Sequence, residues 1–427
     1  MEGLIKGLVN VALGQDEDPR EGRQERSSSS SSWAQVVSGD KDGDEDRRRT
    51  QRKNEGQQHD GEWEFAGSRP SRRPPHVLQQ DGYERNEGGG GGRQVYNQVQ
   101  PNSKEEEDND GWETVGKKPP RRQHKVQKDQ WGGYKRPAGE QEYSEDVGVA
   151  TDPSQEELSD LSQACSKLWE LDLNRLVPGK DYIIDCGEGK KVYQRGDMAE
   201  GSLFSWLSDE VFRKPTYARF CSLLDNYNPN EGSKEVVTEE ERQEQAAFIE
   251  EISRTAPIKY LYKYLSEKRV VSGSFEDFKR RLESLWFDLY GRGGSHSSSS
   301  AFEHVFVGEI KNRQEQEVSG FHNWIQFYLE EAKGRVDYQG YIFPRRRGQI
   351  PDSETQLLTV QFEWNGVLKS VSSTLVGVSP EFEVALYTLC FFLGGEDNHV
   401  QLGPYDVNVK CYRFGNRIGS VFPIAET

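Results

Sequence analysis

Two regimes of hydrophobic patterning divide the chain. Over residues 153–290 apolar positions recur at helical spacing, and over residues 356–422 they run as short strands between turn signals. Ser154 and Glu157 form a capping-box pair ahead of Leu158, Leu161, Cys165, Leu168 and Leu171. A polar–apolar segment over 202–227 carries Phe204, Trp206, Leu207, Val211 and Phe212, and reads with the helices. Thr238 and Glu241 repeat the capping signature before 247–252. Ser274 opens an amphipathic stretch with Phe278, Leu282, Leu285, Trp286 and Leu289.

A Gly/Ser-rich loop, 291–300, separates this helical lobe from a second lobe at 301–427. There the pattern predicts a helix over 322–333 and a strand over 356–364. Asn365-Gly366 is a hairpin signal, so 367–373 is the return strand and Lys369 sits on it just past the turn. Ser379-Pro380 caps a nearly all-apolar helix over 382–393, which must be buried. A last hairpin pairs 406–414 with 418–422 around Gly415-Asn416. The fold class is α+β: a mainly helical lobe, then an antiparallel-β-rich lobe.

The N-terminal third follows neither pattern. Residues 15–152 hold a serine run, a glycine run, the basic run Arg47-Arg48-Arg49 and an acidic run at 105–108, with few aliphatics. Such a segment buries too little apolar surface to offset its ordering entropy, and is expected to be disordered. Residues 1–14 read as a short amphipathic segment. Trp33, Trp63 and Trp112 head three similar short strings. These would suit linear motifs for a protein partner, or indoles that stack on RNA bases, or drift in a low-complexity tail.

Composition narrows the partners. The 427 residues carry a net charge of −17, and the acidic excess lies in both the tail and the remainder. That excludes broad charge-driven nucleic-acid binding, which needs clustered cations. A polyanion would need a local patch, and Arg345-Arg346-Arg347 is the candidate. The five cysteines are widely spaced, with no zinc pattern and no disulfide framework. No run approaches the ~20 apolar residues of a membrane span, and the expected location is intracellular, cytoplasmic or nuclear.

Against this background two of the seven histidines stand in apolar-aromatic settings: His304 in Glu303-His304-Val305-Phe306-Val307-Gly308-Glu309, and His322 in Gly320-Phe321-His322-Asn323-Trp324. With Lys369 they form a set suited to cleaving RNA through its own 2′-hydroxyl. One imidazole takes the 2′-OH proton, the other protonates the leaving 5′-oxygen, and the ammonium meets charge on the phosphate. Gly320 would allow a backbone N–H close to a phosphate oxygen. Histidines in such settings are ordinarily hydrogen-bonded core residues, and strand lysines ordinarily face solvent, so spacing leaves both readings open. His296 and His399 read as surface-loop residues.

These strings resemble the signature of the EndoU family, the poly(U)-specific endoribonucleases. Ser319–Gln326-Phe327-Tyr328, Trp364-Asn365-Gly366 leading to Lys369, and Gly377-Val378-Ser379-Pro380-Glu381-Phe382-Glu383 follow in family order. The resemblance covers 153–427. It implies cleavage of single-stranded RNA at uridines to 2′,3′-cyclic phosphate ends, with Mn²⁺ as cofactor through unknown ligands. It also implies His322 as general base, His304 as general acid and Lys369 as electrostatic partner. Glu303 and Glu309 fall at acidic positions around the site and read as orienting carboxylates, and Ser373 falls where a hydroxyl helps read uracil. The family's C-terminal Tyr-Pro is Phe422-Pro423 here, which keeps a stacking ring and loses its hydroxyl. The alternative is an RNA-binding adaptor or RNP scaffold acting through the Trp-motif tail, its EndoU-like domain only gripping RNA.

Overall fold

A computed structural model describes residues 132–293, 296–312, 315–343 and 351–425. The amphipathic segment, the three tryptophan strings and Arg345-Arg346-Arg347 lie outside the described residues.

The helical lobe contains α1 (Gln155–Ser159), α2 (Leu161–Leu171), α3 (Pro215–Leu223), α4 (Glu239–Ile252), α5 (Ala256–Glu267) and α6 (Phe275–Phe287). The two predicted capping boxes form, and Ser274, expected as a cap, completes a third with Asp277. Ser154, Thr238 and Ser274 each accept from the backbone N–H three residues on, and the acid there reaches back. One expectation fails inside this lobe. Tyr182–Ile184 (β1), Gly189–Lys190 (β2) and Phe204–Leu207 (β3) are strands, the last within the segment read as helical. β1 pairs antiparallel with β3. The entry to β3 is fixed by Glu331, whose carboxylate accepts from the Leu203 and Phe204 backbone N–H groups at 2.7 and 3.1 Å. Strands this short show no readable period.

Order also starts earlier than Pro153. A strap over 134–147 lies on α3 and α4 and converges on Arg219. This buried guanidinium pairs with Glu251 at 3.2 Å, bonds Gln141 and the Glu142 carbonyl, and lies over the rings of Tyr134 and Tyr143. A buried charge held on every side in this way has its desolvation offset.

The second lobe holds β4 (Glu309–Asn312), β5 (Gln316–Ser319), α7 (Trp324–Ala332), β6 (Val336–Ile342), β7 (Leu357–Trp364), β8 (Val367–Leu375), α8 (Pro380–Leu393), β9 (Asp397–Leu402), β10 (Tyr405–Phe414) and β11 (Arg417–Ala425). Strands run β2-β6-β7-β8 in one sheet and β11-β10-β9 in another, with β4-β5 as a separate ribbon. β6–β7–β8 is antiparallel, and β2 joins in parallel. Asn365 and Gly366 both take positive φ, as the tight β7–β8 turn requires. β11 lies against β8, and β5 lies against β8 too, so three sheets meet at one strand. α8 is buried along nearly its whole length, as its composition demands.

The register of β8 carries a defect with consequences for the site. Val360 pairs with Ser372 and Phe362 with Lys369, so three steps on β8 oppose two on β7. Residues three apart on a regular strand face opposite sides. The extra residue brings Lys369 and Ser372 to the same face.

Candidate active site

His304 lies on a single π-helical turn, Glu303–Val307. Phe302 and Phe306 anchor this turn in an aromatic cluster with Phe220, and the Phe306 ring stacks on Trp286 with centroids 5.0 Å apart. The turn ends at Gly308, at φ +94°. The chain then enters β4, whose first residue, Glu309, places Oε2 2.6 Å from His304 Nδ1. Arg292 Nε lies 3.5 Å from the same oxygen, and the guanidinium also donates to the Tyr290 hydroxyl and the Gly419 carbonyl.

The β4–β5 ribbon returns the chain to Gly320-Phe321-His322. Here the two histidine segments interlock. The backbone N–H of Phe321 donates to the His304 carbonyl at 3.2 Å, and that of His322 to the Val305 carbonyl at 2.9 Å. Gly320 sits at φ +66°, and a Cβ there would collide with the His304 carbonyl oxygen. Its glycine therefore serves the approach of one histidine segment to the other. A Cβ at Gly308 would come within 2.6 Å of Phe321 Cβ, so the second glycine serves the same closure.

His322 lies just ahead of α7, where the sequence reading put it inside the helix. Asn323 is the N-cap, accepting from the N–H groups of Ile325 and Gln326 and donating to Glu383 on α8 at 2.7 Å. His322 Nδ1 lies 3.2 Å from Ser372 Oγ, whose own proton goes to the Phe321 carbonyl at 2.9 Å. The Phe422 ring stacks on the imidazole, centroids 4.4 Å apart and 15° from parallel. Phe422 is buried, so one of its faces is already taken by the histidine. It packs the imidazole, where the sequence reading had it stack on substrate.

Lys369 is buried, and Nζ donates to the Val318 carbonyl on β5 at 3.2 Å. Ser373 does not share its face. It pairs with Thr359, one step from the Ser372–Val360 pair, and its hydroxyl lies 2.8 Å from Thr359 Oγ1. Its backbone, not its hydroxyl, is what reaches His322. His296 and His399 are exposed, as expected, although His399 lies on β9 and not in a loop.

The electrostatics follow from burial among cations. Burial, then Arg292, Lys311 and Lys369, hold His304 well below the ordinary imidazole value. Burial, then Lys369 and His304, do the same to His322, while a hydrogen bond with the Ser373 backbone opposes the shift. Both imidazoles therefore sense the Lys369 charge. Burial brings Lys369 down to about 8. Burial, with Glu309 and Glu235 adding to it, pushes Glu303 up to about 9, so its carboxyl stays protonated at neutral pH. Burial also raises Glu309, against Arg292 and Lys311.

The metal implied by the resemblance does not fit these donors. Glu303 is neutral, Glu309 is committed to His304 and Arg292, and no group of three or more His, Cys, Asp or Glu among the described residues is arranged to hold an ion. No chemical step is assigned to Mn²⁺ here.

Ser372, Arg292 and Glu383 were not singled out from sequence. Ser372 had a faint signal as the neighbour of Ser373, hidden by the strand bulge. Arg292 stood in a Gly/Ser loop that read as a separator.

A buried imidazole pair with a lysine, on this mixed helix-and-sheet frame, defines an endoribonuclease. Residues 160–423 match the family model Endoribonuclease XendoU, and the chain belongs to that family. It is 42% identical over 272 residues to the uridylate-specific endoribonuclease B of Danio rerio, covering 62% of this chain and 95% of the relative. It is 41% identical over 276 residues to the poly(U)-specific endoribonuclease-A of Xenopus laevis, covering 62% and 93%. The solved structure of XendoU, described as a splicing-independent snoRNA-processing endoribonuclease, superposes with a TM-score of 0.56 at 39% identity. That match covers 64% of this chain and 99% of the other. Among the described residues, no helix is long and apolar enough to cross a membrane.

Proposed function

We propose that this chain cleaves single-stranded RNA on the 3′ side of uridines by intramolecular transesterification. His322 Nε2 removes the proton of the ribose 2′-hydroxyl, and the 2′-oxygen bonds to phosphorus. The bond from phosphorus to the 5′-oxygen breaks, and His304 gives that oxygen its proton. A 2′,3′-cyclic phosphate remains on one product and a free 5′-hydroxyl on the other. Lys369 balances charge on the non-bridging oxygens.

The observation that carries this reading is the difference in what backs the two rings. Nδ1 of His304 meets a carboxylate, which favours the protonated form once a phosphodiester brings negative charge into the site. Nδ1 of His322 meets a hydroxyl, and its ring lies on an aromatic face. That setting keeps it neutral, as a base must be. The base preference rests on the names of the relatives.

We place the protein inside the cell, since all five cysteines are free and buried. A partner for the N-terminal tail and a stimulatory role for Mn²⁺ stay part of the proposal. Product analysis on defined oligonucleotides, with and without Mn²⁺, tests chemistry, base preference and metal response together. Linear 3′-phosphate ends formed without a cyclic precursor, or equal cleavage at all four bases, would overturn it.

A further inference from the structure

We infer that Ser372 is a positioning residue that sets the tautomer of His322, and so selects which ring nitrogen serves as the base. The inference rests on the proposed role of His322.

Ser372 Oγ has one proton, and the Phe321 carbonyl 2.9 Å away receives it. Toward His322 Nδ1, at 3.2 Å, the oxygen therefore has only lone pairs to offer. The neutral ring must place its proton on Nδ1 to make this bond. Its lone pair is then on Nε2. A free histidine prefers the opposite arrangement, with the proton on Nε2. Without Ser372 the Nδ1–H form loses that acceptor and the ring shifts toward the Nε2–H form, its remaining hydrogen-bond partner being the Ser373 backbone.

Features of the local fold hold the serine, its carbonyl acceptor and the ring in this arrangement. The Phe321 carbonyl belongs to the residue preceding His322, so acceptor and ring are held by the same short segment. Phe321 itself takes φ +63°, a conformation rare for a side-chain-bearing residue. The β8 bulge turns Ser372 to the face that carries Lys369, where regular pairing would have turned it away. The Phe422 ring then closes the histidine from its face, which removes rotation about χ2 as an escape.

The contrast with His304 sharpens the point. A carboxylate also fixes the proton on Nδ1, but it stabilises the imidazolium as well. A hydroxyl already donating elsewhere fixes the tautomer while adding no full negative charge. Ser372 thus selects geometry without turning the base into an acid.

The test uses the full chain labelled with ¹⁵N-histidine. Ring nitrogen shifts report the tautomer, and His322→Ala identifies the signal. The parent protein should show His322 with its proton on Nδ1. Ser372→Ala should move it toward the Nε2–H form and lower kcat roughly two- to tenfold with KM unchanged. Ser372→Thr, which keeps the hydroxyl, should restore both. Ser372→Cys provides the comparison if the alanine variant does not fold, and should fall between the two. An Nδ1–H signal and kcat that persist in the alanine or cysteine variant overturn the inference. Full activity in His322→Ala would instead sink the reading of His322 as base, whatever Ser372 does.

Discussion

The two histidine segments are built by opposite means. His304 sits on a wound turn, pinned from below by phenylalanines and backed by a charged pair, Glu309 with Arg292. His322 sits on irregular chain just ahead of a helix, stitched to the first segment through its backbone and backed by a neutral hydroxyl and a ring. Both imidazoles are buried and both are pushed toward the neutral form. What separates them is the Nδ1 partner. Chemistry that needs one acid and one base can therefore be obtained from two identical side chains, with the protein supplying the asymmetry one bond behind the ring.

The largest effects should come from removing either ring. His304→Ala and His322→Ala should each lower single-turnover cleavage by about 100- to 10,000-fold, the usual weight of a positioned acid or base. If one variant keeps parental activity, the division of labour fails. The two can be told apart with an RNA whose 5′-oxygen leaving group is chemically activated. Such a substrate needs no acid, so it should rescue His304→Ala and not His322→Ala.

Gly320→Ala comes next. A methyl at that position meets the His304 carbonyl, so the two segments cannot close. Activity should fall toward that of His322→Ala, and thermal unfolding should show whether the lobe survives. Unchanged activity would mean that the interlock is dispensable.

Glu309→Gln tests the charged side of the comparison directly. Losing a charge-assisted hydrogen bond costs about 1.5–3 kcal/mol, roughly ten- to a hundredfold in rate. The direction in pH matters more. An acid without its carboxylate gives up its proton at lower pH, so the basic limb of the rate profile should move down. The acidic limb, set by His322, should stay in place. That limb should lie below the ordinary imidazole range, because the folded His322 resists protonation. Above about pH 8 all variants should lose activity together as Lys369 discharges. Movement of both limbs in Glu309→Gln would show that the two rings share one partner network.

The smallest effect belongs to the ring beneath His322. Phe422→Tyr keeps the stacking face and should change kcat less than threefold, in line with the ~0.5–1.5 kcal/mol of an aromatic pair. Sharper discrimination for uridine in this variant than in the parent would return Phe422 to the substrate side of the site, against its buried position.

Much of this frame can be read from the amino-acid pattern. Capping boxes mark α1, α4 and α6, and Asn365-Gly366 marks the turn that presents Lys369. The proximity of His304, His322 and Lys369 is also foreshadowed, because histidines are scarce here and the strings around them are distinctive. What stays hidden is everything that depends on register. A period-two pattern cannot reveal that β8 carries an extra residue, so nothing in the strand marks Ser372 as facing His322. β6 goes unread for a similar reason, since Gly340, at φ +108°, interrupts the alternation begun by Val336 and Tyr338. The strap is hidden for another reason. Its tyrosines are ordinary in sequence, and only the buried Arg219 gives them something to enclose.

The bulge in β8 is a place where the strand can lose a residue and keep its facing. Ser370 is exposed and Val371 half-buried, so substitutions at either should pass with little effect. Deleting either one leaves Lys369 and Ser372 two residues apart, and regular pairing then holds both on the face they already share. What one missing codon there removes is the local kink, so any loss of cleavage in that variant measures what the kink itself contributes.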